Sequence, residues 1–275
     1  MFKFVSIAAP LLALISSTAV LSAEVSSEQQ MPPKIMLWSW QKIEDLSRLD
    51  SRKVGVALLV GRFTVDANKI ALEPRLAQLQ LPSGCYREAV ARVEMKQLPK
   101  EADIDSVSSK LADAIVHLAL AHGRVDGLQV DFDAKQLERP FYVKLLKNLR
   151  SLLPPDLSLS MTALASWSQG DQWLRQAMAK DNLSIDFVVP MFFTMGVGKD
   201  KALHLLQESL PGPFNGRTAL GLSLSESSTI KQISGKLRSL DRIYLFCSPG
   251  WRDDRLKTAG NLVGQNLLKE RNNGI

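Results

Sequence analysis

Between Asp126 and Asp133 the chain reads Asp-Gly-Leu-Gln-Val-Asp-Phe-Asp, and Gln129, Asp131 and Asp133 alternate with apolar residues at the two-residue period of a strand. One strand face therefore carries carboxylates. A helical run ending at Gly123 precedes it and another from about Leu137 to Leu152 follows, so the strand reads as a parallel one, buried on both faces. Same-face neighbours sit roughly 6.6 Å apart at about 3.3 Å per residue. Asp131 and Asp133 would feel each other's charge and could titrate apart, which suits acid/base work or a structural ion pair.

The strand before it, Ala89 to Met95, puts Val90, Arg92 and Glu94 on one face. Neighbouring strands lie about 4.8 Å apart, which makes Arg92 a partner for Asp131. Glu94 could stand beside Asp133, near the separation of about 5 to 5.5 Å used by retaining glycosidases. Asp133, Asp131 and Glu94 are thus the candidate catalytic carboxylates. The competing reading is an ion-pair network of Arg92, Glu94 and Asp131 that braces the fold, since such networks also perturb carboxylates. Trp38, Trp40, Trp167 and Trp251 fall at or just past C-terminal strand ends, where their rings could stack on sugars or pack as core; Trp173 lies in a helix and should pack.

Eight strand-like segments can position these groups: Ile35 to Trp40, Val54 to Val65, Ala89 to Met95, Leu128 to Asp133, Leu157 to Leu164, Ile185 to Phe193, Thr218 to Leu224 and Ile243 to Cys247. Helical stretches separate most of them. One apolar stripe runs Ile104, Val107, Leu111, Ile115, Leu118, and another Phe141, Leu145, Leu149, Leu152, stopped by Pro154 and Pro155. Asp66 to Ile70 looks like a turn into a hairpin. Ser158, Ser160 and Thr162 alternate with leucines and Met161, as do Ala219, Gly221, Ser223 and Ser225 with Leu220, Leu222 and Leu224. Small residues facing a lumen and bulky ones facing helices predict an α/β fold closed into a (β/α)8 barrel, the alternative being a doubly wound open sheet.

Met1 to about Leu21 has the charged start and apolar run of a secretory signal, with cleavage expected after Ala23. Residues 24–34 then form a flexible lead-in and 35–275 a single domain. Removing 23 of 275 residues leaves 252, close to the roughly 250 of such a barrel, and loses only the charge of Lys3, so the formal +6 becomes +5. The expectation is a periplasmic or secreted protein with no membrane span after signal removal. The basic residues are scattered without interleaved aromatics, so no nucleic-acid partner is expected. Cys85 and Cys247 match no zinc motif and should lie at opposite ends of the barrel, unbridged. His117, His122 and His204 sit in helical stretches away from strand tips, and Gly61, Gly196 and Gly198 form no phosphate loop; neither metal nor organic cofactor is implied.

Asp126, Gly127, Asp131 and Asp133 resemble the D-G-x-D-x-D-x-E signature on the fourth strand of family 18 glycoside hydrolases, the chitinase-like barrels. Gln129 stands where that motif has its middle Asp, and Asp133 where it has the proton-donating Glu. Met191 and Phe193 resemble its M-x-Y-D pattern, with Phe193 in place of the Tyr and Thr194 in place of the Asp. The resemblance implies a carbohydrate ligand, with Asp133 as acid and Gln129, Met191 and Phe193 joining Trp38, Trp40, Trp167 and Trp251 as binding residues. The mature chain is also similar to an uncharacterised bacterial family of exported proteins, through Trp38-Ser39-Trp40, Val130 to Asp133, Ala165-Ser166-Trp167 and Pro190-Met191-Phe192-Phe193 with Met195-Gly196. Two functions stay open: a glycoside hydrolase-like enzyme using carboxylate chemistry on an envelope or extracellular carbohydrate, and a non-catalytic barrel that binds a glycan or a protein.

Overall fold

A computed structural model describes residues 32–169, 171–193, 204, 206, 210–212, 214 and 216–269. Eight parallel strands close on themselves: β1 (Ile35–Ser39), β2 (Val54–Asp66), β3 (Arg87–Gln97), β4 (Gly127–Asp131), β5 (Ser158–Leu164), β6 (Phe187–Met191), β7 (Ala219–Ser223) and β8 (Arg242–Phe246). Closure comes from β1, which pairs with β8 on one side and β2 on the other. The open-sheet alternative is thereby excluded.

Helices return the chain along the outside: α1 (Ile104–Ala121), α2 (Arg139–Leu152), α3 (Ala165–Gln169), α4 (Trp173–Asp181), α5 (Ser227–Ile233) and α6 (Asp253–Val263). α1 buries Val107, Leu111 and Ile115 on the stripe that the sequence predicts. Each such aliphatic side chain stabilises the fold by about 2 kcal/mol. On α2 the stripe holds for Phe141, Leu145 and Leu149, but Leu152 turns outward at 44% exposed. Leu153 is buried in its stead, because the chain becomes extended there on its way to Pro154.

The first two connections carry no α-helix. β2 and β3 instead run on past the barrel, since their pairing reaches Asp66 and Gln97 whereas β3 and β4 part after Arg92 and Asp131. A two-residue turn at Ala67 and Asn68 then sends the chain into an antiparallel strand, Lys69–Pro74, at the open edge of this extension. That is the hairpin expected from Asp66 to Ile70.

The alternation sorts side chains into two cores. Leucines, isoleucines and valines of the outward faces pack under the helices, while Met36, Trp38, Ala57, Tyr86, Val90, Phe187, Val189, Ala219 and Tyr244 fill the lumen. The small inward residues of β5 and β7 make space for aromatic neighbours. A Cβ on Gly221 would come within 2.7 Å of Trp38 Cη2, and that indole is held by a hydrogen bond to Gln129 and by the Tyr244 ring. Gly221→Ala is therefore expected to cost about 1 to 3 kcal/mol through overpacking, seen as a lower urea midpoint; wild-type stability would mean the indole is free to move.

Cys85, just before β3, and Cys247, just after β8, are both buried and free, at opposite ends of the barrel as expected. Burial pushes the Cys85 thiol up to about 11, so it is unreactive at neutral pH. No helix among the described residues is long and apolar enough to cross a membrane.

Candidate functional site

The carboxylate wall rises from β3, β4 and β5. Their register sets the Cα of Arg92 beside that of Asp131, and Arg92 Nη1 donates to Asp131 Oδ2 at 2.8 Å. Thr162 on β5 donates to the other oxygen at 2.8 Å. With both oxygens occupied and 3% exposure, Asp131 is a sealed ion-pair member. The expected Arg92–Asp131 pair is present.

Asp133 lies two residues past the end of β4. Phe132 between them drives into the outer core, edge-on to Tyr142 at 5.0 Å, so both carboxylates share the other side of the chain. Asp133 is exposed and forms no hydrogen bond or ion pair with the other described residues. Its carboxyl is pushed above the usual range, first by the surrounding protein and then by the Asp131 charge, against the pull of Arg92. Glu94 is engaged elsewhere: it accepts from Arg92 Nε at 3.1 Å and pairs with Arg62 at 3.4 Å. Among the three candidate carboxylates, only Asp133 is left unengaged by the other described residues.

An aromatic wall comes from β1, β6 and β8. Phe193 stacks on Phe246 with centroids 5.6 Å apart and planes at 17°, and Trp40 meets Phe246 edge-on at 6.1 Å. With Met191 they are half-buried at the C-terminal ends of their strands. Arg75 braces the segment carrying Trp40, donating to the carbonyls of Ser39, Trp40, Lys42 and Ala77. Phe246 has a signal in the sequence, since Arg242, Tyr244 and Phe246 alternate on one face of β8.

Beneath both walls lies a buried polar chain. Trp38 Nε1 donates to Gln129 Oε1 at 2.6 Å; Gln129 Nε2 donates to Ser160 Oγ at 3.0 Å; Ser160 donates to Glu88 Oε1 at 2.8 Å. From the other side Arg242 Nη1 donates to the Tyr244 hydroxyl at 3.2 Å, which donates to Glu88 Oε2 at 2.7 Å. Donor directions converge on Glu88 without conflict. Burial pushes the Glu88 carboxyl up, opposed by Arg242 and the hydroxyl donors. Sequence reasoning missed Glu88, although it shares the parity of Val90 and Arg92, because the predicted strand began one residue later.

Four expected ligand contacts are corrected by their burial. Trp38 and Gln129 belong to this buried chain and not to the ligand surface. Trp167 is 1% exposed, packed edge-on against Trp173 at 4.9 Å under α4, because α3 begins directly at the end of β5. Trp251 is also buried; its amide donates to Glu44 and its indole to the Trp38 carbonyl, tying the segment after β8 to β1. Thr194, Met195, Gly196 and Gly198 lie outside the described residues. His117 and His122 belong to α1 and its C-terminus, outside the barrel. No group of three or more His, Cys, Asp or Glu among the described residues could hold a metal ion.

The barrel superposes on the solved structure of a Streptomyces coelicolor protein assigned by name as chitinase A, with a TM-score of 0.56, 14% identity, and coverage of 87% of this chain and 97% of that one. This likeness concerns the fold. An endo-beta-N-acetylglucosaminidase from Cordyceps militaris in apo form superposes more loosely, with a TM-score of 0.37, 11% identity, and coverage of 88% of this chain and 87% of that one. No curated protein matches the chain. Trp38 to Trp40 and Pro190 to Gly196 lie outside the stretch that a family model covers, whereas Val130 to Asp133 and Ala165 to Trp167 lie within it. Over residues 86–187, from the start of β3 to the start of β6, the chain matches the family model described as a domain of unknown function, DUF3142.

Proposed function

We propose that the barrel binds a carbohydrate across its mouth, with the rings of Trp40, Phe193 and Phe246 on one side and Asp133 on the other. The observation that carries this reading is the pairing of a half-buried aromatic wall with an unengaged carboxyl at the C-terminal ends of the strands, the end where barrel proteins of this kind place their sites. Strands 4 and 8 stand opposite each other in an eight-stranded ring, so the two walls bracket one cleft. Binding is favoured over two-carboxylate hydrolysis because Asp131 is sealed by Arg92 and Thr162, and Glu94 is held by Arg92 and Arg62. A two-carboxylate retaining mechanism needs both carboxyl groups free at the reacting carbon.

Calorimetry against defined envelope and extracellular glycans tests this. Phe193→Ala should weaken binding about tenfold, while Asp133→Asn should bind nearly as well as wild type and no turnover should appear. One observation favours hydrolysis as the second reading: the raised carboxyl of Asp133 has the character of a general acid. Turnover that disappears in Asp133→Asn, and that falls as pH rises through that raised value, would establish it in place of the first. Binding that ignores Phe193 would reject the cleft.

The same ligand class agrees with export, and the signal ending at Ala23 is part of the proposal. Mature protein from a native-like host should begin at or near Glu24; N-terminal sequencing that finds Met1 on a folded cytoplasmic product would overturn it.

A further inference from the structure

The strand Lys69–Pro74 sits at the open edge of the sheet extension and pairs only with β2 among the described residues. Its residues are exposed except for half-buried Ile70. The direction of its backbone groups follows from the hairpin. A two-residue turn makes Asp66 and Lys69 a hydrogen-bonded pair, as are Thr64 with Ala71 and Arg62 with Glu73. The bond from Arg75 N to Val60 O, at 2.8 Å, continues the same parity. The N–H and C=O groups of Ile70 and Leu72 therefore point away from β2, and Leu72 is 44% exposed.

We propose that this edge pairs antiparallel with the same strand of a second copy of the chain, about a two-fold axis at Ala71. In that register Ile70 meets the partner's Leu72 and Leu72 the partner's Ile70, so the outward groups form four backbone hydrogen bonds, and Ala71 faces the partner's Ala71 without steric conflict. Lys69 falls opposite the partner's Glu73, and Glu73 opposite the partner's Lys69. A lysine on an edge strand ordinarily discourages pairing; here the sequence Lys-Ile-Ala-Leu-Glu reads as its own complement in charge and in bulk. Pro74 has no N–H to offer and ends the ladder. The contact is short, so the dimer is weak and concentration-dependent.

Sedimentation velocity on the folded chain tests the pairing, up to concentrations approaching a millimolar. Wild type should dimerise reversibly, and Lys69→Glu and Glu73→Lys, which set like charges opposite each other, should each self-associate about tenfold more weakly. An equimolar mixture of the two variants should regain wild-type affinity, because every facing pair is then again of opposite charge. Hydrogen exchange at the Ile70 and Leu72 amides should slow with concentration in wild type. A wild type that stays monomeric, a dimer indifferent to both charge reversals, or a mixture of folded variants that does not recover would each overturn the proposal.

Discussion

Glu88→Ala should destabilise the fold by about 3 to 5 kcal/mol, the cost of leaving a buried charge without its partner. Arg242 is 1% exposed and would keep its charge, while the Tyr244 and Ser160 hydroxyls would lose the acceptor they share. One Arg242 nitrogen, Nη2, already has no hydrogen-bond partner, so little remains to satisfy the guanidinium. Glu88→Gln should cost much less, since it keeps the shape and one acceptor oxygen. The pH dependence separates the two forms. The Glu88 carboxyl is raised in the folded state, so the stability linked to this group is fully present below the ordinary Glu value and declines as pH rises through the raised one. Glu88→Gln mimics the protonated form and should flatten that slope. Urea unfolding of wild type and both variants across this range checks it; equal losses for Ala and Gln would refute the account of the network.

Arg92→Met should cost about 3 kcal/mol at neutral pH, because Asp131 would keep its charge with Thr162 as its one side-chain donor. Asp131→Asn should cost less, about 2 kcal/mol. The difference comes from solvent. The Arg92 side chain is 31% exposed and still has Glu94 to pair with, whereas Asp131 is closed off. The double variant should lose less than the sum of the two single ones, since they share one contact. Asp131→Asn proving the costlier single change would show that the pair is held from the arginine side.

How far the chain announced all this depends on the range over which its information acts. Each of the eight strands lies within about two residues of its predicted position, because a period of two, bounded by Gly and Pro, is a local property of sequence. The Arg92–Asp131 pair was legible for a related reason: consecutive strands of a parallel barrel are neighbours, and residues of matching parity face the same side. The Glu88–Tyr244 bond was not legible. It joins residues 156 positions apart, and nothing local says how β3 and β8 will meet across a closed lumen. The tryptophans make the same point. Trp40 and Trp167 both stand at strand ends, yet one lines the mouth and the other is covered by α4, because exposure is decided by what folds over a residue rather than by the residue itself. So it is with the two aspartates. Sequence alone determined that Asp131 and Asp133 share a face two residues apart and that Arg92 stands beside the first; only the tertiary structure decided that Thr162 also closes over the first while the other described residues leave the second open, since that depends on which side chains the neighbouring strands bring alongside and not on the local pattern.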